Sequence, residues 1–544
     1  MNDRFILKTI GAIEKVLKYR APKTSEQKGV CFANARYNFQ VVFCSKDRLR
    51  DCKIEMDGAL APYTTLRLVE DVPVKYTYNF DVNGDDDFVL GKEAGLYPDL
   101  LRSFNRNDLT VYPDQWTSCW VSIDGEGKDL PVGEHTLVFT VKNADGELGR
   151  VEYTLRVLNE RLPKLDIFNT NWVHYDCIAE WYHLEVFSEK YYTVLNEYLK
   201  NAVAHGINTL LTPIFTPPLD TEVGTERMTV QLVGVQQTDD GYAFDFTKLN
   251  ECIDNAFDLG FEYIEFSHLY TQWGGLHAPK IVARVGGEEK RIFGWDTDSE
   301  SAEYKAFLQA FLEKLVAFVK EKGIEKRCYF HLTDEPQEKD FEKYSSLRKF
   351  VKGIIGDLPV IDALSEIGFK ELVDIPVVDS GCLKYFVGKC SKFGAYYFCG
   401  TSKNATNRFI VHPALRTRVL GYQAYLYSLA GFLQWGFNFW KTELSKHNID
   451  PYFVNDAGGA FPAGDSFTVY PAQGKPLDSI RNEIVSDGWQ DYRELLFVES
   501  KVGREKILEL FAKYNLRTIN DYSLVESDYT ALRAEILDLV GIKA

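Results

Sequence analysis

Between residues 163 and 500 the chain alternates strand-like and helix-like segments, and this alternation constrains the fold more than any other feature. The helical patterns include residues 188–205, 248–259 and 302–322, and each stops at a glycine. The strand-like runs start near eight positions: Leu165, Thr209, Tyr263, Cys328, Pro359, Ile375, Ala395 and Gly431. Eight strands that alternate with helices predict a (β/α)₈ TIM barrel.

The segments on either side of this alternation have different patterns. Runs rich in β-branched and aromatic residues, separated by polar turns, occur at 37–44, 74–80, 116–123, 135–141 and 151–157. Such runs predict an N-terminal β-sandwich. The end of the chain is mainly helical. We therefore predict three units: a sandwich over residues 1–162, a catalytic barrel over 163–500 and a C-terminal helical segment over 501–544.

Charge and cysteine usage exclude several classes of function. The chain has 62 Lys and Arg against 79 Asp and Glu, a net charge of −17, which disfavours nucleic acid and anionic membranes as partners. The 10 cysteines form no C-x-x-C pair, which predicts free thiols in a reducing compartment rather than a zinc module. Without an apolar leader or a spanning segment, we expect a cytoplasmic protein. We expect no metal and no cofactor, and oligomerisation stays open.

Two adjacent acids follow the fourth predicted strand. In a TIM barrel the reacting groups lie at the C-terminal ends of the strands, and Asp334 and Glu335 stand at such an end, three and four residues after His331. An alternative interpretation is an ordinary helix start, with Thr or Asp as the cap and Pro336 just inside. Position at the strand end favours a catalytic pair.

Adjacency limits the mechanism that such a pair can support. Neighbouring residues on an extended chain point in opposite directions, so Asp334 and Glu335 cannot readily flank one bond as nucleophile and acid. A retaining glycosidase with an enzyme nucleophile needs carboxyls about 5 Å apart across the sugar. An adjacent pair instead suits a substrate-assisted reaction, in which one carboxyl protonates the leaving oxygen and the other orients the sugar's own acetamido group.

The sequence resembles glycoside hydrolase family 123, a family of β-N-acetylgalactosaminidases with many uncharacterised relatives. The resemblance covers most of residues 165–500, and the N-terminal segment is similar to the family's accessory domain. It rests on eight motifs in order: WVHYDC (172–177), TPIFTPPLDT (212–221), SHLYTQWG (267–274), FGW (293–295), HLTDEP (331–336), NRF (407–409), LQWGFN (433–438) and DGWQDY (487–492).

The resemblance implies a retaining, substrate-assisted hydrolysis through an oxazoline intermediate. Asp334 then polarises the acetamido group, and Glu335 is the general acid and base. A donor must hold the acetamido oxygen in line, and Tyr397 in the seventh predicted strand is our candidate, with Tyr396 as the alternative if the strand register differs. The expected substrate is a β-linked amino-sugar oligosaccharide or glycoconjugate, with GalNAc as the favoured sugar.

Further residues at the predicted strand ends could contact the sugar. Aromatic rings offer a flat surface to the apolar face of a sugar, and polar side chains could bind its hydroxyls. The substrate-binding candidates are Trp172, His174, Asp220, Arg227, His268, Trp273, Trp435, Asn438 and Asp465. For each tryptophan, core packing is the competing interpretation, and Asp220 and Arg227 could instead pair with each other.

Two rival functions remain at this point. The first is a related glycosidase with a different sugar specificity, in which the adjacent acids have other roles. The second is a carbohydrate-binding barrel without catalytic activity, because a barrel fold alone does not establish catalysis. The intact acid pair argues against a barrel without activity, and our first hypothesis is an exo-acting β-N-acetylhexosaminidase.

Overall fold

The structure is a computed structural model that describes residues 4–78, 86–400 and 403–543. It is a mixed α/β architecture with two sheets in the N-terminal part, a large parallel sheet in the central part and helices towards the end of the chain. None of the helices within these ranges combines the length and the apolar composition needed to cross a membrane.

The N-terminal part forms two five-stranded sheets, with the strand orders β1-β3-β8-β5-β6 and β2-β10-β9-β4-β7. Their strands are β1 Phe5–Gly11, β2 Lys28–Phe32, β3 Tyr37–Ser45, β4 Leu49–Asp57, β5 Thr64–Val74, β6 Gly95–Arg102, β7 Leu109–Val111, β8 Thr117–Ile123, β9 Gly133–Asn143 and β10 Gly146–Leu158. Both sheets contribute to one apolar core, in which Phe39 stacks on Tyr153 with ring centroids 3.9 Å apart. The predicted strand at 74–80 is wrong in its placement, because β5 ends at Val74; residues 79 and 80 lie outside the described ranges.

The central sheet has eight parallel strands in the order β18-β15-β12-β11-β22-β21-β20-β19. They are β11 Phe168–Asn171, β12 Thr209–Thr212, β15 Tyr263–Phe266, β18 Cys328–Phe330, β19 Ala363–Leu364, β20 Val377–Asp379, β21 Gly394–Tyr396 and β22 Gly431–Gln434. A parallel bridge joins Phe330 to Val360 just before β19, so the two ends of the sheet meet. Each strand begins within four residues of a predicted start, the largest offset being 359 against Ala363.

The helices pack outside this curled sheet. They are α1 Tyr175–Tyr182, α2 Glu189–Ala204, α3 Thr247–Leu259, α4 Ala302–Lys322, α5 Phe341–Ile355, α6 Leu383–Phe386, α7 Ala414–Arg418, α8 Leu420–Tyr427, α9 Ile480–Val502, α10 Arg504–Lys513 and α11 Glu526–Asp538. The Ser188 side chain caps α2 by accepting from the Tyr191 amide. Gly260 ends α3 with φ +109°, a left-handed conformation that glycine adopts without a Cβ clash.

Smaller sheets lie in the connections. A four-stranded sheet of β13 Gly234–Thr238, β14 Gly241–Asp245, β16 Ile281–Val285 and β17 Glu288–Phe293 is built from the segments that follow β12 and β15. A hairpin of β23 Val469–Pro471 and β24 Pro476–Asp478 precedes α9. These insertions lengthen the loops on one side of the curled sheet.

Alternate residues of the parallel strands face two different cores. One set fills the inside of the curled sheet, and it includes Phe168, Trp172, Tyr396 and Leu433. The other set packs against the helices: it includes Tyr397 and Phe432, whose rings are in contact, and Phe432 packs on Trp489 of α9. This division follows from the period of two in a strand, and it decides which side chains can reach the inner edge of the sheet.

Candidate active site

The acid pair lies in a bend that directly follows β18. The Glu335 amide donates to the Ala363 carbonyl at 3.1 Å, and the Trp273 amide donates to the Asp334 carbonyl at 2.8 Å. The helical turn that leads into α5 starts later, at Glu338–Asp340, with Gln337 as its cap. The pair is therefore not a helix cap, and its backbone is held by the neighbouring strand ends.

The backbone and the side chain of Glu335 are both constrained. Its φ is +45°, a left-handed conformation that costs a residue with a Cβ about 1–3 kcal/mol. The Tyr396 hydroxyl donates to Glu335 Oε1 at 2.5 Å. Burial raises the pKa of Glu335, Tyr396 opposes this rise, and the Asp379 carboxylate adds to it. A raised pKa is what a general acid near neutral pH requires.

Asp334 has a different environment. Its side chain is half-buried, and within the described part of the chain no group hydrogen-bonds its carboxylate. Burial and the adjacent Glu335 raise the pKa of Asp334 well above its usual range, whereas His331 favours the charged form. The carboxylate is thus an unpaired acceptor that a donor on a ligand would satisfy.

A buried charge network lies inside the sheet below the pair. His331 bridges Glu265 Oε1 and Asp362 Oδ1, the latter at 3.1 Å. Burial opposes the charge on His331, but the two carboxylates outweigh it and raise the pKa of the imidazole to about 9. Asp362 also accepts from Tyr344 at 2.7 Å and from the Leu332 amide at 2.9 Å. The network joins β15, β18 and the start of β19 and fixes the base of the bend.

Four of the substrate-binding candidates lie at the edge where the acid pair stands. Trp273, in the loop after β15, is 42% exposed, and its amide touches the bend. Asp220 and Asp465 follow β12 and β22, and burial raises their pKa values to about 6 and about 7. Trp435 donates its indole N–H to Asp465 Oδ2 at 3.1 Å. These side chains offer carboxylate acceptors and aromatic surface.

Tyr397 is placed differently from our expectation. It faces the helices, where its hydroxyl is buried without a hydrogen-bond partner, and Tyr396 faces the acid pair instead. The reason is the strand register: Tyr396 and Phe398 have the inward parity of β21, and Tyr397 has the outward parity. The structure therefore has the alternative strand register, in which Tyr396 instead of Tyr397 faces the acid pair.

Trp172 and His268 lie inside the curled sheet rather than at its rim. Trp172 is 2% exposed and donates its indole N–H to Glu265 at 2.9 Å. His268 stacks on His331 with ring centroids 4.4 Å apart, and neither of its ring nitrogens has a partner. Burial lowers the pKa of His268 well below its usual range, so this ring is neutral. Trp172 therefore stabilises the charge network instead of lying at the rim, which corrects its predicted sugar contact. The sugar contact of His268 stays a prediction.

Three more candidates form hydrogen bonds or ion pairs within the protein: His174, Asn438 and Arg227. His174 accepts from Arg227 Nη2 at 3.1 Å and donates to the Trp435 carbonyl at 2.8 Å. Asn438 exchanges two hydrogen bonds with the His174 backbone. Arg227 pairs in two places with Asp176, at 2.8 and 2.6 Å, and not with Asp220. Because their polar atoms are occupied, these residues join the loops after β11, β12 and β22 instead of facing a ligand.

One group of side chains has the composition of a metal site. His205, Asp478 and Glu483 place ligand atoms within 4.8 Å of one another. Arg67 donates to both carboxylates, and Arg36 donates to Glu483 at 3.0 Å. Two guanidinium groups already supply the positive charge that an ion would bring, so this group does not fit a metal.

Sequence reasoning missed several residues of the site. Asp379, Glu265 and Asp362 all point inward, and the last two are fully buried. A signal for them existed, because Glu265 and Asp379 belong to otherwise apolar strand runs, where a buried acid needs a partner. The partner of Glu265, His331, was visible in the sequence, but the spatial pairing was not.

The site combines three features at one edge of a parallel sheet. Glu335 is half-buried and accepts a hydrogen bond from Tyr396, the neighbouring Asp334 carboxylate is unpaired among the described residues, and tryptophan side chains offer aromatic surface.

The family model for the catalytic domain of glycoside hydrolase 123 matches residues 172–498. No curated protein sequence matches the chain.

A solved structure of a family 123 enzyme shares this architecture. A family 123 glycoside hydrolase from Clostridium perfringens, studied for glycolipid glycan hydrolysis, superposes with a TM-score of 0.74 at 15% identity and covers 98% of each chain. A family 5 xyloglucanase from Bacteroides ovatus gives a TM-score of 0.33 at 8% identity, over 85% of this chain and 98% of the other. The family model spans more than half of the sequence, and the chain therefore belongs to glycoside hydrolase family 123 and is a glycoside hydrolase.

Proposed function

We propose that this enzyme removes β-linked N-acetylhexosamine, with GalNAc as the favoured sugar, by a retaining, substrate-assisted reaction. The observation that carries the proposal is the asymmetry of the acid pair. Glu335 is held by Tyr396, whereas the adjacent Asp334 carboxylate has no partner among the described residues. One carboxyl is thus oriented for proton transfer, and the other is open to a substrate N–H.

In the first step the acetamido oxygen attacks the anomeric carbon. The glycosidic C–O bond breaks, and the leaving oxygen takes the proton of Glu335. Asp334 accepts a hydrogen bond from the acetamido N–H and stabilises the positive charge that develops on nitrogen. That hydrogen bond also favours the ionised form of Asp334 and so opposes the rise in its pKa that burial causes.

In the second step water opens the oxazoline. Glu335, now a carboxylate, takes a proton from this water, and the hydroxyl bonds to the anomeric carbon from the face that the leaving group occupied. Retention results from two displacements at one carbon. Tyr396 keeps Glu335 oriented through both steps. This positioning role differs from the one expected for Tyr397, which is to hold the acetamido oxygen in line.

We also propose that the chain consists of three structural units. We assign residues 1–162 to a β-sandwich, 163–500 to a (β/α)₈ catalytic barrel and 501–544 to a C-terminal helical segment. The shared core of the two N-terminal sheets supports the first assignment. The meeting of the sheet ends at Phe330 and Val360 supports the second.

The substrate class follows from the site and from the family. Asp220 and Asp465 can accept hydroxyl hydrogen bonds, and Trp273 and Trp435 can cover an apolar sugar face. We propose an oligosaccharide or glycoconjugate substrate, which includes the glycolipid glycans studied with the Clostridium perfringens enzyme. The ten free cysteines support a cytoplasmic location.

The test compares three chromogenic substrates with the same leaving group: β-GalNAc, β-GlcNAc and β-galactoside. We expect hydrolysis of β-GalNAc, and at least about a hundredfold lower kcat/KM for the β-galactoside, because it lacks the acetamido nucleophile. Comparable rates on the β-galactoside would refute the substrate-assisted mechanism. Hydrolysis of none of the three would refute the proposed specificity.

A further inference from the structure

Five carboxyl groups come together at the edge that holds the acid pair. Asp220 follows β12, Asp334 and Glu335 follow β18, Asp379 ends β20, and Asp465 follows β22. The C-terminal ends of parallel strands lie on the same edge of a curled sheet, so these acids face one region although they are distant in sequence. A sugar beside the acid pair would lie in this acidic region.

Two of these carboxyls lack the partners that buried charges normally have. Asp465 is fully buried, its Oδ1 has no hydrogen-bond partner, and only its Oδ2 accepts from Trp435. The Asp334 carboxylate has no hydrogen bond within the described ranges. Unpaired buried acceptors are costly unless a ligand supplies donors. The edge thus requires hydroxyl or amide donors from whatever binds there.

Three of the four cations that act on these carboxyls are paired with other carboxylates. Among the described residues the four cations are Arg227, Arg408, Arg481 and His331. Arg227 pairs with Asp176, Arg481 pairs with Asp99, and His331 lies between its two buried carboxylates. Arg408 donates through Nη2 to the Gln434 side chain and to the Gly436 and Asp465 carbonyls, and its Nε has no hydrogen-bond partner. Arg408 is only 1% exposed, so an anionic group on a sugar would meet mainly carboxyl groups at this edge.

We infer that this site selects sugars by charge: neutral amino sugars bind beside Asp334 and Glu335, and sugars that carry a sulfate or a carboxylate are excluded there. The inference rests on the proposed function, because it takes the same edge as the sugar site. Its physical basis is like-charge repulsion in a partly buried region, where water screens charges poorly.

The repulsion between these carboxylates and an anionic sugar should depend on pH. The pKa values of Asp220 and Asp465, about 6 and about 7, place their ionisation between pH 5 and pH 8. Burial holds the pKa of Tyr396 and of Cys399 well above this interval, and the carboxylates beside His331 raise its pKa to about 9, so these groups keep their charge state. Burial also raises the pKa of Asp379, the fifth carboxyl at this edge. The acid pair itself has raised pKa values and adds further negative charge as pH rises. Exclusion of an anionic sugar therefore strengthens from pH 5 to pH 8.

The experiment is calorimetric binding of N-acetylgalactosamine and of its 6-sulfate to the wild-type enzyme at pH 5 and pH 8. We expect the sulfated and the neutral sugar to bind with similar affinity at pH 5, where most of these carboxyls are protonated, and the sulfated sugar to bind about a hundredfold more weakly at pH 8. A steric exclusion would give the same ratio at both pH values. Equal ratios, or ratios below about threefold at pH 8, would overturn the inference.

Variants and an activity assay distinguish charge selection from steric exclusion, and they distinguish failure of this inference from failure of the proposed function. Asp465→Asn keeps the volume and should reduce the discrimination at pH 8 at least about fivefold, whereas the control Glu526→Gln in α11 should leave it unchanged. An unchanged ratio in Asp465→Asn would also overturn the inference. Cleavage of chromogenic β-GalNAc and of its 6-sulfate at similar rates would refute charge selection alone and leave the proposed function standing. Absence of binding by both sugars would refute both.

Discussion

Two buried clusters in this enzyme combine acids with a histidine. Their surroundings shift the pKa values of the acids in opposite directions. In the junction cluster, His205, Asp478 and Glu483 meet Arg36 and Arg67 between the N-terminal sheets and α9. Burial alone would raise the pKa of Glu483, but the two arginines and His205 hold it well below its usual range. At the catalytic edge, burial and like charges raise the pKa values of Asp334 and Glu335.

The difference lies in what completes each cluster. The junction cluster is complete in the folded chain, because every carboxylate meets a cation, and its work is to hold the N-terminal sheets to α9. The edge that holds the acid pair keeps two carboxyls, those of Asp334 and Asp465, with oxygen atoms that lack a hydrogen-bond partner among the described residues, and in the proposed function a substrate supplies the missing donors. Raised pKa values together with unpaired acceptors therefore distinguish a reactive site from a structural one more reliably than residue composition.

The largest expected effect on catalysis comes from Glu335→Gln. We expect kcat/KM to fall about 10²–10⁴-fold on substrates with poor leaving groups, because proton donation is lost. The loss on activated aryl glycosides should be much smaller, since their leaving oxygen needs less protonation. The measurement is steady-state kinetics on a series of leaving groups, and equal losses across the series would contradict the acid role.

The corresponding change in the junction cluster should act on stability. Glu483→Gln leaves Arg36 and Arg67 without a buried partner, and we expect a loss of about 3–5 kcal/mol in the free energy of unfolding. Denaturant unfolding measures this, and kcat of the folded fraction should be unchanged. A stable variant with reduced kcat would break the comparison between the clusters.

The pH dependence of this stabilisation has a definite sign. The folded pKa of Glu483 lies below its unfolded value of about 4.3. The stabilisation is therefore present above pH 4.3 and is lost as pH falls towards the folded pKa. The Glu483→Gln variant should lose less stability on acidification than the wild-type enzyme.

Asp334→Asn should lower kcat on N-acetyl substrates about 10²–10³-fold, the usual cost of losing one group that stabilises developing charge. Because the pKa of Asp334 is raised, the wild-type rate should fall as pH drops through that pKa, and the variant should lack this acid limb. Its melting temperature should equal or exceed that of the wild type, since an unpaired, half-buried carboxylate is removed. A lower melting temperature would place Asp334 with the junction cluster.

The large-scale fold was predictable from the sequence because local patterns determine it. All eight parallel strands occur near their predicted starts, and Ser188 and Gly260 bound their helices as capping rules require. The strand at 74–80 failed for the opposite reason. Its aromatic and β-branched composition is typical of strands, but β-propensity depends on a partner strand, and β5 pairs with β6 only as far as Val74.

The candidate site was only partly predictable, because contacts between distant segments decide it. Asp334 and Glu335 follow from position at a strand end. The commitment of Arg227 to Asp176, or of Trp172 to Glu265, depends on which loops meet in three dimensions. No local pattern carries that information, so a polar residue near a strand end is predicted as a ligand whether or not the protein already uses it.

The smallest effect on activity is expected for Tyr396→Phe, and it tests the register of β21. Tyr396→Phe removes the hydroxyl that donates to Glu335 Oε1 and should lower kcat about tenfold, the energy of one charge-assisted hydrogen bond. It should also raise the pKa of Glu335 and move the basic limb of the pH–rate profile upwards, because this hydrogen bond favours the carboxylate. Tyr397→Phe is the matched control: its hydroxyl has no partner and faces the helices, so the rate and the pH profile should be unchanged. A loss of activity in Tyr397→Phe with none in Tyr396→Phe would mean that β21 presents the opposite face to the acid pair.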